Sequence, residues 1–217
     1  MQKLNDYFDE MGIETFWYRP KEKKPLKNSL NIDLTTLKEI VSNCTKCELH
    51  KSRDKTVFGA GNESAKILFI GEAPGRDEDK EGEPFVGRAG KLLTEMISSI
   101  NLNREDIYIT NTVKCRPPSN RNPSDEEVRS CADYLENQIE LIKPKIIILL
   151  GKVAANRIIK IDEPIAKLRK KTFFFEPKNI PIIVFYHPAY LLRNPKDKKK
   201  VWEDLLYLKS VMKEYDC

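Results

Sequence analysis

No apolar run in this chain reaches bilayer-spanning length; the longest, Ile146–Leu150, has the length of a buried strand. The N-terminus lacks the long apolar h-region of a secretory signal. A soluble, cytoplasmic protein with no membrane partner is therefore expected. In that compartment a disulfide framework for the five cysteines is not. The turn Gly71-Glu72-Ala73-Pro74-Gly75 lacks the Gly-Lys-Ser/Thr ending of a phosphate loop and the spacing of a dinucleotide fingerprint, which weakens both nucleotide readings. There are no internal repeats, and 217 residues suffice for one core with an appendage. Histidine occurs only twice, at His50 and His187.

What is present is a set of four spaced cysteines. Cys44 and Cys47 form a C-x-x-C pair, Cys115 lies in Lys114-Cys115-Arg116-Pro117-Pro118, and Cys131 follows sixteen residues later in a predicted helix. Four thiolates close the coordination shell of one metal site; buried, inert thiols are the alternative. His50 is a further possible ligand, and Cys217 has no evident partner.

The net charge of +5 is unevenly spread. Residues 167–200 carry ten Lys and Arg against two acids, and the rest of the chain carries 28 against 31. Such a tract suits a polyanion-facing surface, or equally a solvated lysine-rich face of the kind enriched in proteins from hot environments.

Four short apolar runs, Lys66–Ile70, Ile107–Thr110, Lys145–Leu150 and Ile182–Phe185, are apolar on both faces, as parallel strands covered by helices should be. Helices are predicted near Asp33–Val41, Ala89–Ile100, Ser124–Ile142, Lys152–Ile159 and Asp197–Tyr215, and Thr172–Phe175 is a further strand without an assigned position. The alternation predicts an α/β fold: a three-layer α/β/α sandwich with a central, mainly parallel four-stranded sheet. Residues 1–30 read as an extension and proline-broken linker, and residues 31–217 as the main domain.

Ligands of such sheets bind outside the carboxyl ends of the strands. There lie the Gly71–Gly75 turn, able to aim backbone N–H groups at an oxyanion; Asn111, able to read a heterocycle edge or to cap a turn; and His187, at a strand exit before Pro188. Phe85, in Pro84-Phe85-Val86-Gly87-Arg88-Ala89-Gly90, either packs in the core or stacks on a planar ligand.

These motifs, with Thr110-Asn111-Thr112-Val113-Lys114-Cys115-Arg116-Pro117-Pro118 and His187-Pro188-Ala189-Tyr190-Leu191-Leu192-Arg193, resemble the family 4 uracil-DNA glycosylases, the iron–sulfur members of the uracil-DNA glycosylase superfamily. The resemblance runs from about Cys44 to the C-terminus. It implies a [4Fe–4S] cluster on Cys44, Cys47, Cys115 and Cys131, structural in role, with zinc as the physical runner-up for four thiolates. The implied reaction is hydrolysis of the N-glycosidic bond of deoxyuridine in DNA after the base is flipped out. Phe85 would stack on the base, Asn111 would pair with N3–H and O4, and His187 would sit at O2 beside the turn containing Glu72 and Ala73. The best-known relatives carry an aspartate at the position of Ala73, so Glu72 and Glu78 are the nearest carboxylates, Glu78 as a water-positioning group.

The same resemblance puts Tyr190, Leu191, Leu192 and Arg193 on a loop entering the DNA minor groove, with phosphate contacts from Lys167–Lys171 and Lys196–Lys200. Leu4, Tyr7 and Phe8 resemble a sliding-clamp-binding box, the alternative being a helix packed on its own domain. A monomer from a thermophilic prokaryote is the accompanying expectation. Two competing readings are a metal-stapled nucleic-acid-binding module without catalysis and a glycosylase for another deaminated base.

Overall fold

Strands rich in Ile, Leu, Val and Phe form the centre of the protein. The computed structural model describes residues 32–217, which form one unit. The expectations for Leu4, Tyr7 and Phe8 and for the linker at 19–25 lie outside the described residues. Strands β2 (Ile67–Gly71), β3 (Ile107–Asn111), β4 (Ile146–Leu150) and β6 (Ile180–Phe185) are buried at every position. β2 pairs in parallel with β3 and β4, and β4 with β6. Burial on both pleat faces requires cover from both sides, the condition under which parallel sheets occur.

The sheet has six strands rather than the expected four, in the order β1-β3-β2-β4-β6-β5. The additions are antiparallel edges: β1 (Ala60–Gly61) on β3, and β5 (Phe173–Phe175) on β6. A two-residue strand has no period to read, so β1 left no trace in the pattern. β5 is the Thr172–Phe175 segment, now placed at the far edge.

The cover comes from α1 (Leu34–Ser42), α2 (Arg76–Glu81), α3 (Arg88–Ser98), α4 (Asp125–Ile142), α5 (Lys152–Ile159), α6 (Ile165–Leu168), α7 (Pro188–Arg193) and α8 (Lys198–Glu214). α1 packs on α4, while α3 packs on α7 and α8. The predicted starts are chemical. Asp33 accepts from the Thr36 amide at 2.7 Å at the head of α1. Ser124 and Glu127 form a reciprocal capping box on α4, with Asp125 and Glu126 completing an acidic first turn against the helix dipole.

Residues 188–193 form a helix where a loop was expected. Pro188 takes a first-turn position, where its missing N–H costs nothing, and His187 caps it. This corrects one assignment: helical spacing turns Leu191 inward, leaving it 1% exposed, so it is a core residue and not a groove wedge.

Ile148, in β4 and fully buried, tests the depth of this core. Ile148→Ala is expected to lower unfolding free energy by about 2–5 kcal/mol, read from the urea midpoint at unchanged slope; a loss below about 1 kcal/mol would mean that the sheet centre repacks freely.

Candidate active site

The parallel register brings the strand ends level. Gly71 closes β2 opposite Asn111, which closes β3. The loops beyond are tied together, the Thr112 amide donating to Gly71 O at 3.0 Å and its hydroxyl to Glu72 O at 2.6 Å. Gly71 is required by contact: a Cβ there would lie 2.4 Å from Asn111 Oδ1 and 2.8 Å from Phe85 Cζ. Its absence lets an amide and an aromatic ring meet at the end of the sheet. From β6 the chain delivers His187, whose ring lies 5.7 Å from that of Phe85 at a tilt of 32°. These groups line a cleft of about 1110 Å³, counted to its open mouth, together with Glu72, Ala73, Glu78, Tyr190 and Arg193.

Asn111 is 2% exposed, and its Oδ1 has no hydrogen-bond partner among the described residues. A desolvated amide oxygen left unpaired costs about 1–3 kcal/mol, so its position calls for a donor from outside. His187 accepts from the Ala189 amide through Nδ1 at 3.1 Å. The proton of the neutral ring then sits on Nε2. Burial, with a smaller contribution from Arg193, lowers the His187 pKa to about 4, so at pH 7 the ring is a neutral donor.

Phe85 is buried and has φ of 56°, a left-handed conformation unfavourable for a bulky residue. Its surroundings enforce it. Arg104 donates to Pro84 O at 2.9 Å and Phe85 O at 3.2 Å. A Cβ on Gly90 would fall 1.6 Å from Phe85 O, so only glycine fits beneath. Glu78 completes the clamp, accepting from Gly75 N through Oε2 and from Val86 N and Gly87 N through Oε1, each at 3.1 Å. The Glu78 carboxylate thus holds the two site loops. Glu72 lines the cleft half-buried, and burial raises its pKa, Arg157 opposing. Ala73 brings no functional group.

The rest of the predicted surface divides. Tyr190 and Arg193 reach the cleft and Leu192 is half-buried. The basic tract is partly neutralised within the protein. Arg169 Nε donates to both carboxylate oxygens of the buried Asp204, at 2.8 and 2.9 Å, and Lys167, Lys170 and Lys200 pair with Glu163, Glu203 and Asp197. Lys171, Lys196, Lys198 and Lys199 remain exposed. Sequence reasoning missed Arg104, and it missed Asn120, Arg121 and Asn122 on the cleft wall. No local pattern marks Arg104, because its partners are main-chain carbonyls about twenty residues upstream.

The four cysteines meet. Cys44 follows α1, Cys47 starts a short 3-10 turn, Cys115 follows β3 and Cys131 lies in α4, and all four line one small, nearly filled pocket. None is in a disulfide. Lys46, Arg53 and Lys114 share the lining, and Arg53 donates to Cys115 Sγ at 3.1 Å. His50 also lines it, with Nδ1 2.7 Å from Cys47 O. Among the described residues no three His, Cys, Asp or Glu groups gather tightly enough to hold one metal ion.

Comparison with known proteins agrees with this geometry. A profile of the Uracil DNA glycosylase superfamily matches residues 58–206. The Type-4 uracil-DNA glycosylase of Archaeoglobus fulgidus is 50% identical over 174 residues, covering 77% of this chain and 87% of its own. That of Sulfurisphaera tokodaii is 47% identical over 185 residues, covering 82% and 84%. That of Thermotoga maritima is 44% identical over 179 residues, covering 81% and 93%. The motifs, the sheet with its carboxyl-edge cleft and these matches lead to one conclusion: the chain belongs to the uracil-DNA glycosylase superfamily, among its type-4 members.

Proposed function

We propose that this protein removes uracil from DNA, hydrolysing the bond between N1 of the base and C1′ of deoxyribose and leaving an abasic site. The observation that carries the reading is the buried, unpaired carboxamide oxygen of Asn111, set in one cleft with Phe85 and His187. A flipped uracil supplies what that oxygen lacks. Its N3–H donates to Asn111 Oδ1, its O4 accepts from Nδ2, and its ring lies against Phe85. Cytosine presents an acceptor at N3 and donors at the 4-position, so both amide groups would face like partners. Two mismatched buried groups at about 1–3 kcal/mol each discriminate strongly.

As C1′–N1 breaks, the bonding pair passes to uracil and charge collects on N1 and O2. His187 donates to O2 through Nε2–H, and the Gly71–Gly75 turn adds main-chain dipoles. Being neutral, His187 acts by hydrogen bonding and gives up no proton from an imidazolium. Water adds to C1′ and surrenders a proton, for which Glu72 is the cleft carboxylate not committed to a loop. Glu78, with three amides on its two oxygens, acts by positioning the Phe85 loop rather than the water. Ala73 leaves no aspartate for direct water activation, so leaving-group stabilisation carries most of the rate.

Cys44, Cys47, Cys115 and Cys131 would hold a [4Fe–4S] cluster. A single tetrahedral zinc ion needs four sulfurs within about 2.3 Å of one point; the cysteines stand farther apart than that among the described residues, and three cationic side chains on the wall suit an anionic centre. When bound, the cluster supplies cross-linking of α1, the β3 loop and α4. Uracil-containing DNA is the partner, met at the cleft mouth by Tyr190, Leu192 and Arg193, with Lys171, Lys196, Lys198 and Lys199 available to phosphates. Residues 1–30 stand in this proposal as a separate extension that docks on a sliding clamp through Leu4, Tyr7 and Phe8.

Asn111→Asp and His187→Ala should each lower kcat/KM on a uracil-containing oligonucleotide by about 10²–10³-fold with little change in melting temperature; near-normal rates in both would end the pocket assignment. The acid limb of kcat/KM should show no His187 break near 6.5, because the ring protonates only toward pH 4; a break near 6.5 that disappears in His187→Ala would mean an imidazolium mechanism. Deleting residues 1–12 should abolish clamp binding and leave excision intact, and unchanged clamp affinity would remove that partner.

A further inference from the structure

Beside the base cleft lies an open depression lined by three arginines, Arg76, Arg88 and Arg116. Cleft and depression share Glu78, Ala89 and Asn120, so the two adjoin. The excision chemistry uses none of these arginines.

Their charges are unequally engaged. Arg76 pairs with Asp77 on the same wall, its Nε 3.4 Å from Oδ1. Arg116 is half-buried and backed by the buried Asp79, whose Oδ2 lies 3.9 Å from Nη1 and whose Oδ1 accepts from the Asp54 amide at 3.0 Å. Arg116 Nε donates to Asn120 Oδ1 at 2.7 Å. Two left-handed residues, Ser119 and Asn120, each at φ of 55°, shape the loop that presents this pair. Glu78 spends both oxygens on amides. Arg88, exposed at the start of α3, has no ion pair or side-chain hydrogen bond among the described residues. One unit of positive charge is therefore left uncompensated, and a phosphodiester carries one negative charge.

A guanidinium fork with its donors unspent matches phosphate oxygens, which it meets with two parallel hydrogen bonds. Covalent geometry brings such a group near. A nucleotide whose base fills the cleft carries a phosphate on each side of its deoxyribose, so the strand must cross the cleft's edge. We propose that the depression binds one phosphodiester flanking the flipped deoxyuridine, with Arg88 as the main contact and Arg116 as a second, held ready by Asp79 and Asn120. The inference rests on the uracil-excision reading and adds a subsite to it. The exposed lysines at 171–199 meet the strand anywhere, whereas a phosphate held here fixes the reacting nucleotide itself.

The experiment uses iron-loaded full-length wild type and Arg88→Gln on uracil-containing oligonucleotides. In each, one phosphate is replaced by a neutral methylphosphonate, either flanking the deoxyuridine or remote from it. The readouts are kcat/KM for excision and affinity for free uracil by titration calorimetry. In wild type one flanking methylphosphonate should lower kcat/KM by about 10–100-fold, the range of a lost charge-assisted hydrogen bond, and the remote one should not. Arg88→Gln should lose a similar factor on unmodified DNA, lose little more with that methylphosphonate, and bind free uracil as wild type does.

Additive losses from variant and methylphosphonate overturn the site, as does a wild type indifferent to both flanking replacements. Weakened free-uracil binding in Arg88→Gln also overturns it, because the residue would then be supporting the base pocket. A wild type that leaves uracil in unmodified DNA overturns the proposed function instead.

Discussion

The site is organised around one desolvated carboxamide. Asn111 Oδ1 is buried without a partner among the described residues, at the end of a strand buried along its whole length. The surrounding structure holds that atom in place. Parallel pairing sets Gly71 beside it, the missing Cβ lets Phe85 approach, and the buried Lys114 donates to the Asn111 carbonyl. An unmet hydrogen-bonding group of this kind is tolerable only where the fold is stable enough to carry it, and four strands buried on both faces meet that requirement.

A second cost is backbone strain at Phe85. A left-handed conformation in a bulky residue costs about 1–3 kcal/mol and persists where its surroundings over-determine it. Here a carboxylate takes three amides, a guanidinium takes two carbonyls, and a glycine leaves room beneath the carbonyl. The phenyl ring is therefore held in place by the fold itself, without help from a ligand. The imidazole is prepared in the same way, by the amide it caps and by burial.

Charge is sorted with comparable economy. The cysteine pocket is lined by Lys46, Arg53 and Lys114, whereas the carboxyl-edge cleft combines a neutral imidazole, Glu72 and Glu78 with Arg121 and Arg193 on its wall. The basic tract at 167–200 holds several internal ion pairs, so its excess overstates what it presents to a polyanion. Placing Arg169 on buried Asp204 makes one of those charges part of the core.

The parallel strands, the capped starts of the helices at Leu34 and Asp125 and the convergence of Gly71, Asn111 and His187 on one edge were legible from sequence, because they follow from periodicity, capping chemistry and where strands end. Of the two antiparallel edges, Thr172–Phe175 was legible as a strand but not its position, and β1 was not legible at all, because two residues carry no period. Nor were the inward turn of Leu191, the duty of Glu78 as a loop clamp, the grip of Arg104 on Phe85 and the enclosure of Lys114. Local sequence specifies which residues make strands, caps and turns, since those depend on neighbours along the chain. Which carboxylate is occupied, which leucine is buried and which lysine is enclosed depend on atoms distant in sequence, and only the folded packing brings those together.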